Sequence, residues 1–283
     1  MSLSAVITAA APKQRHLLHQ TLARAEGRLD TLARFALELL MPEGREPLVD
    51  RLAFIIPAGD SKRFAELTGA AGRRVELIEQ PEPRGYVDAI YQARSFVGND
   101  PFLHLVGDHF YLAHEGEAWQ LADQLIATHR EENTSVVAVQ PTREALLPAF
   151  GAVGGTPIST AAGRALYQVD TVIEKPTPTE AEQRLVVSGL RAGHYLCFFG
   201  MHLFTPSLFQ LLDEAYARQA VPRSLSEALH QLAQRERVLA TILPGSRFDL
   251  GARYGILQAQ LALALSGPDR EEVLTMLVEL LAR

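Results

Sequence analysis

The stretch Phe102-Leu103-His104-Leu105-Val106-Gly107-Asp108 places a glycine and a carboxylate directly after a short apolar run. A run of this length is typical of a buried β-strand. Similar runs along the chain predict strands at residues 4–9, 52–56, 75–79, 102–106, 135–139, 166–174, 194–204 and 238–243. Their near-continuous apolar character indicates strands that are covered on both faces.

Longer segments with apolar residues at helical spacing lie between these strands. They predict helices at residues 13–40, 86–96, 117–130, 206–217, 224–235 and 270–281. The alternation of strands and helices indicates an α/β domain with helices on both faces of one sheet. Because Ser266-Gly267-Pro268-Asp269 interrupts the chain before the last helix, we predict one domain over residues 1–266. Residues 267–283 are then a C-terminal helical appendage, which we expect to pack on its own domain rather than on a second subunit.

The composition gives no general affinity for polyanions. Of the 283 residues, 47% are apolar and 21% are charged, and the formal net charge is −6. This balance excludes a global basic bias toward nucleic acid or an anionic membrane surface. Cys197 is the single cysteine, so an internal disulfide is excluded. The sequence shows neither a signal peptide nor an apolar segment of membrane-spanning length, and we expect a cytoplasmic protein.

Polar residues follow several predicted strands at the sheet edge where ligands bind in open α/β folds. They lie in the loop after Ala9, in residues 80–85, in Gly107-Asp108, in Glu174-Lys175-Pro176 and in residues 248–251. Two acidic residues, a lysine and a glycine-bearing turn therefore come from distant parts of the chain to one edge. The pattern predicts a site for a cation or a phosphate, and it does not define a reaction.

Five segments, in this order along the chain, match motifs of one enzyme family. They are residues 80–90 (QPEPRGYVDAI), 99–108 (NDPFLHLVGD), 150–153 (FGAV), 172–176 (VIEKP) and 247–259 (RFDLGARYGILQA). With them the chain resembles the sugar-1-phosphate nucleotidyltransferases, in particular the bacterial glucose-1-phosphate uridylyltransferases (UDP-glucose pyrophosphorylases). The resemblance implies a single-domain, Rossmann-like α/β fold of the glycosyltransferase-A type. Its sheet is expected to be mixed and mostly parallel, with helices on both faces.

The segment after the first strand departs from this family, which has a glycine-rich phosphate loop there. An ungapped alignment from Ala5 places the two loop glycines on Ala11 and Lys13, and only the loop arginine is retained, as Arg15. The added Cβ atoms and Pro12 reduce the backbone freedom and the N–H donors with which such a loop binds phosphate. The phosphate loop is therefore degenerate.

The resemblance implies a role for each matching position in the transfer of a nucleotidyl group to a sugar-1-phosphate. The implied catalytic residues are Arg15, Asp108 and Lys175, and Asp108 and Asp249 are the implied ligands of Mg²⁺. The implied nucleotide-binding residues are Ala10, Ala11, Lys13, Gln80 and Gly85, and the implied sugar-binding residues are Gly151, Glu174 and Lys175. The implied substrates are UTP and glucose-1-phosphate, with no nucleic acid or membrane partner, and a homo-oligomer stays open.

Three functions remain open from the sequence alone. The first is an active nucleotidyltransferase with a remodelled phosphate loop. The second is a catalytically inactive relative that binds a sugar nucleotide or sugar phosphate as a sensor or partner subunit. The third is a glycosyltransferase of related fold, which ranks last because the chain has no Asp-x-Asp motif at the right place. Each site residue also has a structural interpretation: Asp108 can shape a turn and Asp249 can cap a helix.

Overall fold

The computed structural model describes residues 3–11, 16–68, 74–158 and 164–282. The strands are β1 (Ser4–Thr8), β2 (Thr21–Ala23), β3 (Leu29–Thr31), β4 (Arg51–Pro57), β5 (Val75–Gln80), β6 (Phe102–Val106), β7 (His109–Ala113), β8 (Ser135–Arg143), β9 (Gly151–Ile158), β10 (Leu166–Glu174), β11 (His194–Phe204), β12 (Val238–Ile242) and β13 (Gly245–Asp249). The α-helices are α1 (Leu32–Leu40), α2 (Ser61–Thr68), α3 (Tyr86–Tyr91), α4 (Arg94–Val97), α5 (Trp119–Glu132), α6 (Pro178–Arg184), α7 (Ser207–Ala217), α8 (Leu225–Ala233), α9 (Gly255–Ser266) and α10 (Arg270–Leu281). Short 3-10 helices occupy Leu17–His19, Ala25–Gly27 and Glu144–Ala149.

One large mixed sheet organises the fold. Among the described residues its strand order is β5-β4-β1-β6-β11-β8-β12-β10-β9, and β11 also pairs with β9. The strands from β5 to β6 pair in parallel, as do β8 and β12. The strands β11 and β10 pair antiparallel with their neighbours. The predicted mixed sheet is confirmed, and its parallel pairings are concentrated in the half that contains β1.

Both faces of this sheet are buried, as the apolar runs predicted. Along β1 and β4, successive residues point alternately into two hydrophobic clusters, one on each side of the sheet. Ala5, Ile7 and Phe54 belong to the first cluster, and Val6 and Ile55 belong to the second. The parallel strands therefore end at an edge that is held between two layers of packed side chains.

The prediction of a helix over residues 13–40 is wrong. Within this range the structure has two 3-10 turns, the antiparallel ribbon of β2 and β3, and only α1 as α-helix, and residues 13–15 lie outside the described residues. Gly27 adopts a φ of 74°, which a continuous helix does not tolerate. Arg24, which follows β2, forms ion pairs with Asp30 on β3 and with Glu38 on α1, and these pairs join the ribbon to the helix. The Thr31 side chain then caps α1 at the N–H of Arg34.

The remaining predicted elements are present, with small shifts at their ends. The predicted helix at 86–96 is divided into α3 and α4, and the helix at 270–281 is confirmed as α10. Strands β7, β9 and β13 were not predicted from the apolar pattern. Glycine has a low strand propensity, and β9 carries three glycines, at Gly151, Gly154 and Gly155, so its pattern does not resemble a strand.

The C-terminal helix α10 contacts α9, but none of its described side chains is buried. It presents Leu274, Met276, Val278 and Leu280 to solvent in whole or in part. No helix in the described part of the chain is both long enough and apolar enough to span a membrane.

Candidate active site

A cleft of about 200 Å³ opens at the carboxyl ends of β1, β5 and β6. It is lined by Thr8, Ala10, Ala11, Gln80, Pro83, Gly85, Tyr86, Ala89 and Asp108. The fold thus brings together five predicted site residues, namely Ala10, Ala11, Gln80, Gly85 and Asp108, from three distant parts of the chain. Lys13 and Arg15, which were predicted beside them, lie outside the described residues.

The Gln80 side chain shapes one wall of this cleft. Its amide nitrogen donates to the carbonyl oxygen of Gly85 at 3.2 Å and to Oδ2 of Asp88 at 2.7 Å. Gly85 has a φ of 115°, a conformation that a residue with a side chain rarely adopts, and it turns the chain into α3. Both N–H groups of the Gln80 amide are used inside the protein, so a ligand would meet its carbonyl oxygen.

The two predicted metal ligands lie next to each other. Strands β7 and β13 form an antiparallel ribbon in which Asp249 pairs with His109, the residue after Asp108. The N–H of Leu250 donates to the backbone oxygen of Asp108 at 2.9 Å, which ties the two segments together. One Asp249 oxygen accepts the N–H of Gly251 at 2.9 Å, so this residue also forms the turn that its structural interpretation predicted.

This donor set fits a magnesium ion. Mg²⁺ is usually bound by one or two protein carboxylates, and substrate phosphates and water complete its shell. Within the described ranges no group of three or more His, Cys, Asp or Glu side chains is arranged to hold a metal. His109 is buried and burial lowers its pKa to about 3, so its imidazole beside Asp108 is neutral. The two aspartates are therefore suited to an ion that is completed by a phosphorylated substrate.

The predicted sugar-binding residues form a second group on β9 and β10. Gly151 and Glu174 face each other across these two strands, and the Ser226 hydroxyl of α8 donates to Glu174 at 2.5 Å. Lys175 follows Glu174 with a φ of 48°, in the left-handed region, and its side chain is exposed. Non-glycine residues in this region cost free energy and occur often at functional sites.

The backbone of Lys175 is held on both sides. Its N–H donates to the carbonyl oxygen of Phe150 at 3.2 Å. A capping box then starts α6 two residues later: Thr177 accepts the N–H of Glu180, and Glu180 accepts the N–H of Thr177. This arrangement fixes the Lys175 backbone between a strand end and a helix start.

Arg247 connects the aspartate pair with the sugar-binding group. Its Nε donates to the carbonyl oxygen of Phe198 at 2.7 Å, and its Cζ lies 3.5 Å from the ring centroid of Phe150. Burial lowers the pKa of Arg247 to about 10, so the side chain keeps its charge at neutral pH. The sequence pattern did not assign Arg247 a role, although it stands two residues before Asp249 in one of the five family motifs.

Gly151→Ala is expected to lower the free energy of unfolding by about 1–3 kcal/mol, because added atoms overfill a packed site. A Cβ at this position would lie 2.3 Å from Ser226 Oγ and 2.8 Å from the Phe198 ring. Urea unfolding measures the loss. Ser226→Ala removes the nearer clash, so the double variant should recover part of it. A double variant with no recovery would contradict close packing of Gly151 against Ser226.

A pair of buried histidines lies beneath the cleft. His104 on β6 and His202 on β11 are opposite each other, and their Nδ1 atoms are 3.2 Å apart. Burial lowers the pKa of His202 to about 3 and holds the pKa of His104 well below its usual value. Both imidazoles are therefore neutral in the folded protein.

These histidines predict a loss of stability in mild acid. Because their pKa is lower in the folded than in the unfolded state, the unfolded chain binds more protons as the pH falls below about 6.5. At pH 5 the loss should be about 2 kcal/mol for each such histidine. Urea unfolding at pH 7 and pH 5 measures it, and His202→Gln should show a smaller pH dependence. An unchanged dependence in that variant would contradict the prediction.

Comparison with known proteins settles the family. A family model described as nucleotidyl transferase matches residues 24–265. The chain belongs to the nucleotidyl transferase family. The match begins after the segment with the degenerate phosphate loop and covers all the other predicted site residues.

Several curated members of the nucleotidyl transferase family are similar to the chain. It is 29% identical over 209 residues to the UTP–glucose-1-phosphate uridylyltransferase of Streptococcus pneumoniae serotype 4. This alignment covers 73% of this chain and 65% of that protein. It is 29% identical over 198 residues to UTP–glucose-1-phosphate uridylyltransferase 1 of Streptococcus pyogenes serotype M3. This alignment covers 70% of this chain and 60% of that protein. The matched region is thus less than two thirds of these relatives' length.

Solved structures of two nucleotidyl transferases share the fold. A UDP-glucose pyrophosphorylase complexed with UDP-glucose superimposes with a TM-score of 0.70 at 19% identity, covering 93% of this chain and 98% of that chain. The UTP-bound enzyme from Acinetobacter baumannii gives a TM-score of 0.70 at 18% identity, covering 99% of this chain and 100% of that chain. At this identity the likeness concerns the α/β fold alone.

Proposed function

We propose that the chain catalyses the formation of a nucleoside diphosphate sugar and pyrophosphate from a nucleoside triphosphate and a sugar-1-phosphate. The observation that carries this proposal is the pairing of β7 with β13. It sets Asp249 opposite His109, the residue after Asp108. Asp108 itself lines the cleft that contains Gln80 and Gly85. Two anionic substrates repel each other, and Asp108 and Asp249 would hold a cation whose positive charge offsets that repulsion.

UTP and glucose-1-phosphate are the substrates that we propose. Support comes from the curated relatives, whose names specify both compounds, and from the motifs that the chain shares with that group. Because the match covers 65% of the first relative's length, the full activity of these relatives is extended to this chain only as a proposal.

The reaction needs no covalent enzyme intermediate. An oxygen of the sugar phosphate attacks the α-phosphorus of the triphosphate, the new P–O bond forms, and the bond to the β-phosphate oxygen breaks to release pyrophosphate. The protein has to position the two anions in line and reduce their repulsion. Mg²⁺, when bound, supplies positive charge to the phosphate oxygens.

Each group of residues has a separate task in this mechanism. Asp108 and Asp249 hold the ion, and the Lys175 ammonium binds the phosphate of the sugar phosphate. Glu174 accepts hydrogen bonds from sugar hydroxyls, and Gly151, which pairs with Glu174 across β9 and β10, contacts the sugar through its backbone. Arg247 adds a fixed positive charge between the two groups and keeps Phe150 in place against them.

The triphosphate has fewer backbone contacts than a glycine-rich loop provides. Ala10 is buried and Ala11 is exposed at the cleft, and the following residues Pro12 to Arg15 supply Lys13 and Arg15. We propose that these two cations bind the β- and γ-phosphates and thereby replace the lost N–H donors. We also propose that residues 1–266 are the catalytic domain and residues 267–283 an appendage to it.

The glycine-free loop favours a second candidate function. A relative whose loop no longer binds the triphosphate, but which retains Gly151, Glu174 and Lys175, would still bind a sugar nucleotide or a sugar phosphate. Such a protein would act as a sensor or as a partner subunit.

Pyrophosphate release separates the two functions. The purified protein is mixed with each of the four common nucleoside triphosphates, glucose-1-phosphate and Mg²⁺. Asp108→Ala serves as the blank, and Asp170→Ala, an exposed carboxylate on β10, serves as the matched control. Release with UTP that only Asp108→Ala abolishes supports the enzyme. No pyrophosphate release with any of the four triphosphates, together with binding of UDP-glucose measured by calorimetry, supports the second function, a protein that binds without catalysis.

A further inference from the structure

Two hydroxyl groups line the floor of the cleft and bond to each other. The Thr8 hydroxyl at the end of β1 donates to the Tyr86 hydroxyl at the start of α3 at 3.0 Å. Nε2 of the buried His104 lies 3.2 Å from the Thr8 oxygen and 3.3 Å from the Tyr86 oxygen. The cleft is thus connected through these hydroxyls to the histidine pair beneath it.

His202, at the buried end of this hydrogen-bond network, limits which nitrogen of each imidazole carries the proton. Each neutral imidazole carries one N–H, and the bond between the two Nδ1 atoms requires one donor and one acceptor. His202 Nε2 is buried without a hydrogen-bond partner among the described residues. A proton on His202 Nε2 would therefore be an orphaned buried N–H, which is rarer in proteins than an unfilled acceptor.

The favoured arrangement makes His202 the donor of this pair. His202 then carries its proton on Nδ1 and donates to Nδ1 of His104. His104 carries its proton on Nε2 and donates to the oxygens of Thr8 and Tyr86. Neither imidazole is left to accept the proton of the Tyr86 hydroxyl. The Thr8 hydroxyl donates to the Tyr86 oxygen at 3.0 Å, a shorter contact than the 3.4 Å to its other acceptor, the carbonyl oxygen of Leu105. Within the described part of the chain, the Tyr86 O–H is the one donor of this network left over.

We propose that the Tyr86 hydroxyl donates a hydrogen bond to an acceptor oxygen of the bound nucleotide. This inference rests on the proposed function and makes Tyr86 a further nucleotide-binding residue. Its hydroxyl shares the cleft with Gln80, Gly85, Ala10 and Ala11, the positions predicted to contact the nucleotide. Burial raises the pKa of Tyr86, so the phenol stays protonated and remains a donor. The acceptor is either a carbonyl oxygen of the base or a phosphate oxygen.

Tyr86→Phe tests the proposal, because it removes the hydroxyl and keeps the ring. Calorimetry with UTP should show about a tenfold loss of affinity, the effect of one hydrogen bond to a ligand. Tyr91→Phe is the matched control. It lies on the same helix, but its hydroxyl donates to Asp213 at 2.9 Å, outside the cleft, and its affinity for UTP should be unchanged.

Inorganic triphosphate as a second ligand identifies the acceptor. A loss for UTP alone assigns the bond to the base, and an equal loss for triphosphate assigns it to a phosphate oxygen. If the wild type binds UTP and Tyr86→Phe binds it equally well, this inference fails and the proposed function stands. If the wild type binds none of the four nucleoside triphosphates, the proposed function fails and this inference fails with it.

The proton positions give a second, independent measurement. Nitrogen NMR of histidine-labelled protein distinguishes the two neutral tautomers, and His202→Gln assigns the pair. We expect His104 to be protonated on Nε2 and His202 on Nδ1. The opposite tautomers would make His104 an acceptor of the Tyr86 proton and would overturn the inference.

Discussion

Asp108→Ala is expected to reduce pyrophosphate release by about 1000-fold or more, the scale on which a lost electrostatic contact to the transition state acts. Asp108 ends the segment after β6 and Asp249 ends β13, and the β7–β13 ribbon holds the two together. In the proposed site, removing either carboxylate would leave the ion with half of its protein ligands. Asp249→Ala should therefore have a similar effect, measured as the initial rate at saturating UTP, glucose-1-phosphate and Mg²⁺.

The double variant distinguishes a shared ion from two separate roles. The effects of substitutions at residues that act as a unit are not additive. The double variant Asp108→Ala/Asp249→Ala should therefore be scarcely slower than either single variant. Asp108→Asn controls for packing because it keeps the shape of the side chain, and it should be as inactive as the alanine variant. Wild-type rates in Asp249→Ala beside an inactive Asp108→Ala would refute a shared ion.

Lys175→Asn is expected to raise the KM for glucose-1-phosphate by about 100-fold, the upper range for a charge-assisted bond to phosphate. Asparagine is the suitable replacement because it tolerates the left-handed conformation that Lys175 adopts at a φ of 48°. The variant removes the ammonium group without adding backbone strain. Steady-state kinetics should show little change in the KM for UTP.

Two further variants test the Lys175 prediction. Lys175→Arg keeps the positive charge and should retain a large part of the affinity for the sugar phosphate. Arg184→Asn removes an exposed cation from the nearby helix α6 and should leave both KM values unchanged. An equal rise in the Arg184 variant, or a rise for UTP instead of glucose-1-phosphate, would show that Lys175 does not bind the sugar phosphate.

Much of the fold was predictable because its central strands are short, apolar and covered on both faces. Helix starts are also encoded locally: Thr177 and Ser224, residue types that favour N-cap positions, cap α6 and α8. Residues 17–31 were mispredicted because leucines that serve a ribbon and two tight turns happened to fall near helical spacing. Apolar spacing does not reveal that Arg24 bonds across the ribbon.

The sequence by itself determined the family, the strands β1, β4, β5 and β6, and the carboxylates and lysine that follow strands, since these depend on local patterns and ordered motifs. Only the tertiary structure decided which of these residues meet. The pairing of β7 with β13, the stacking of Arg247 on Phe150, and the bonds from Thr8 and Tyr86 to His104 all join distant segments. Such contacts are selected by packing and by the need to satisfy buried polar groups across the whole core, and no local pattern of residues encodes them.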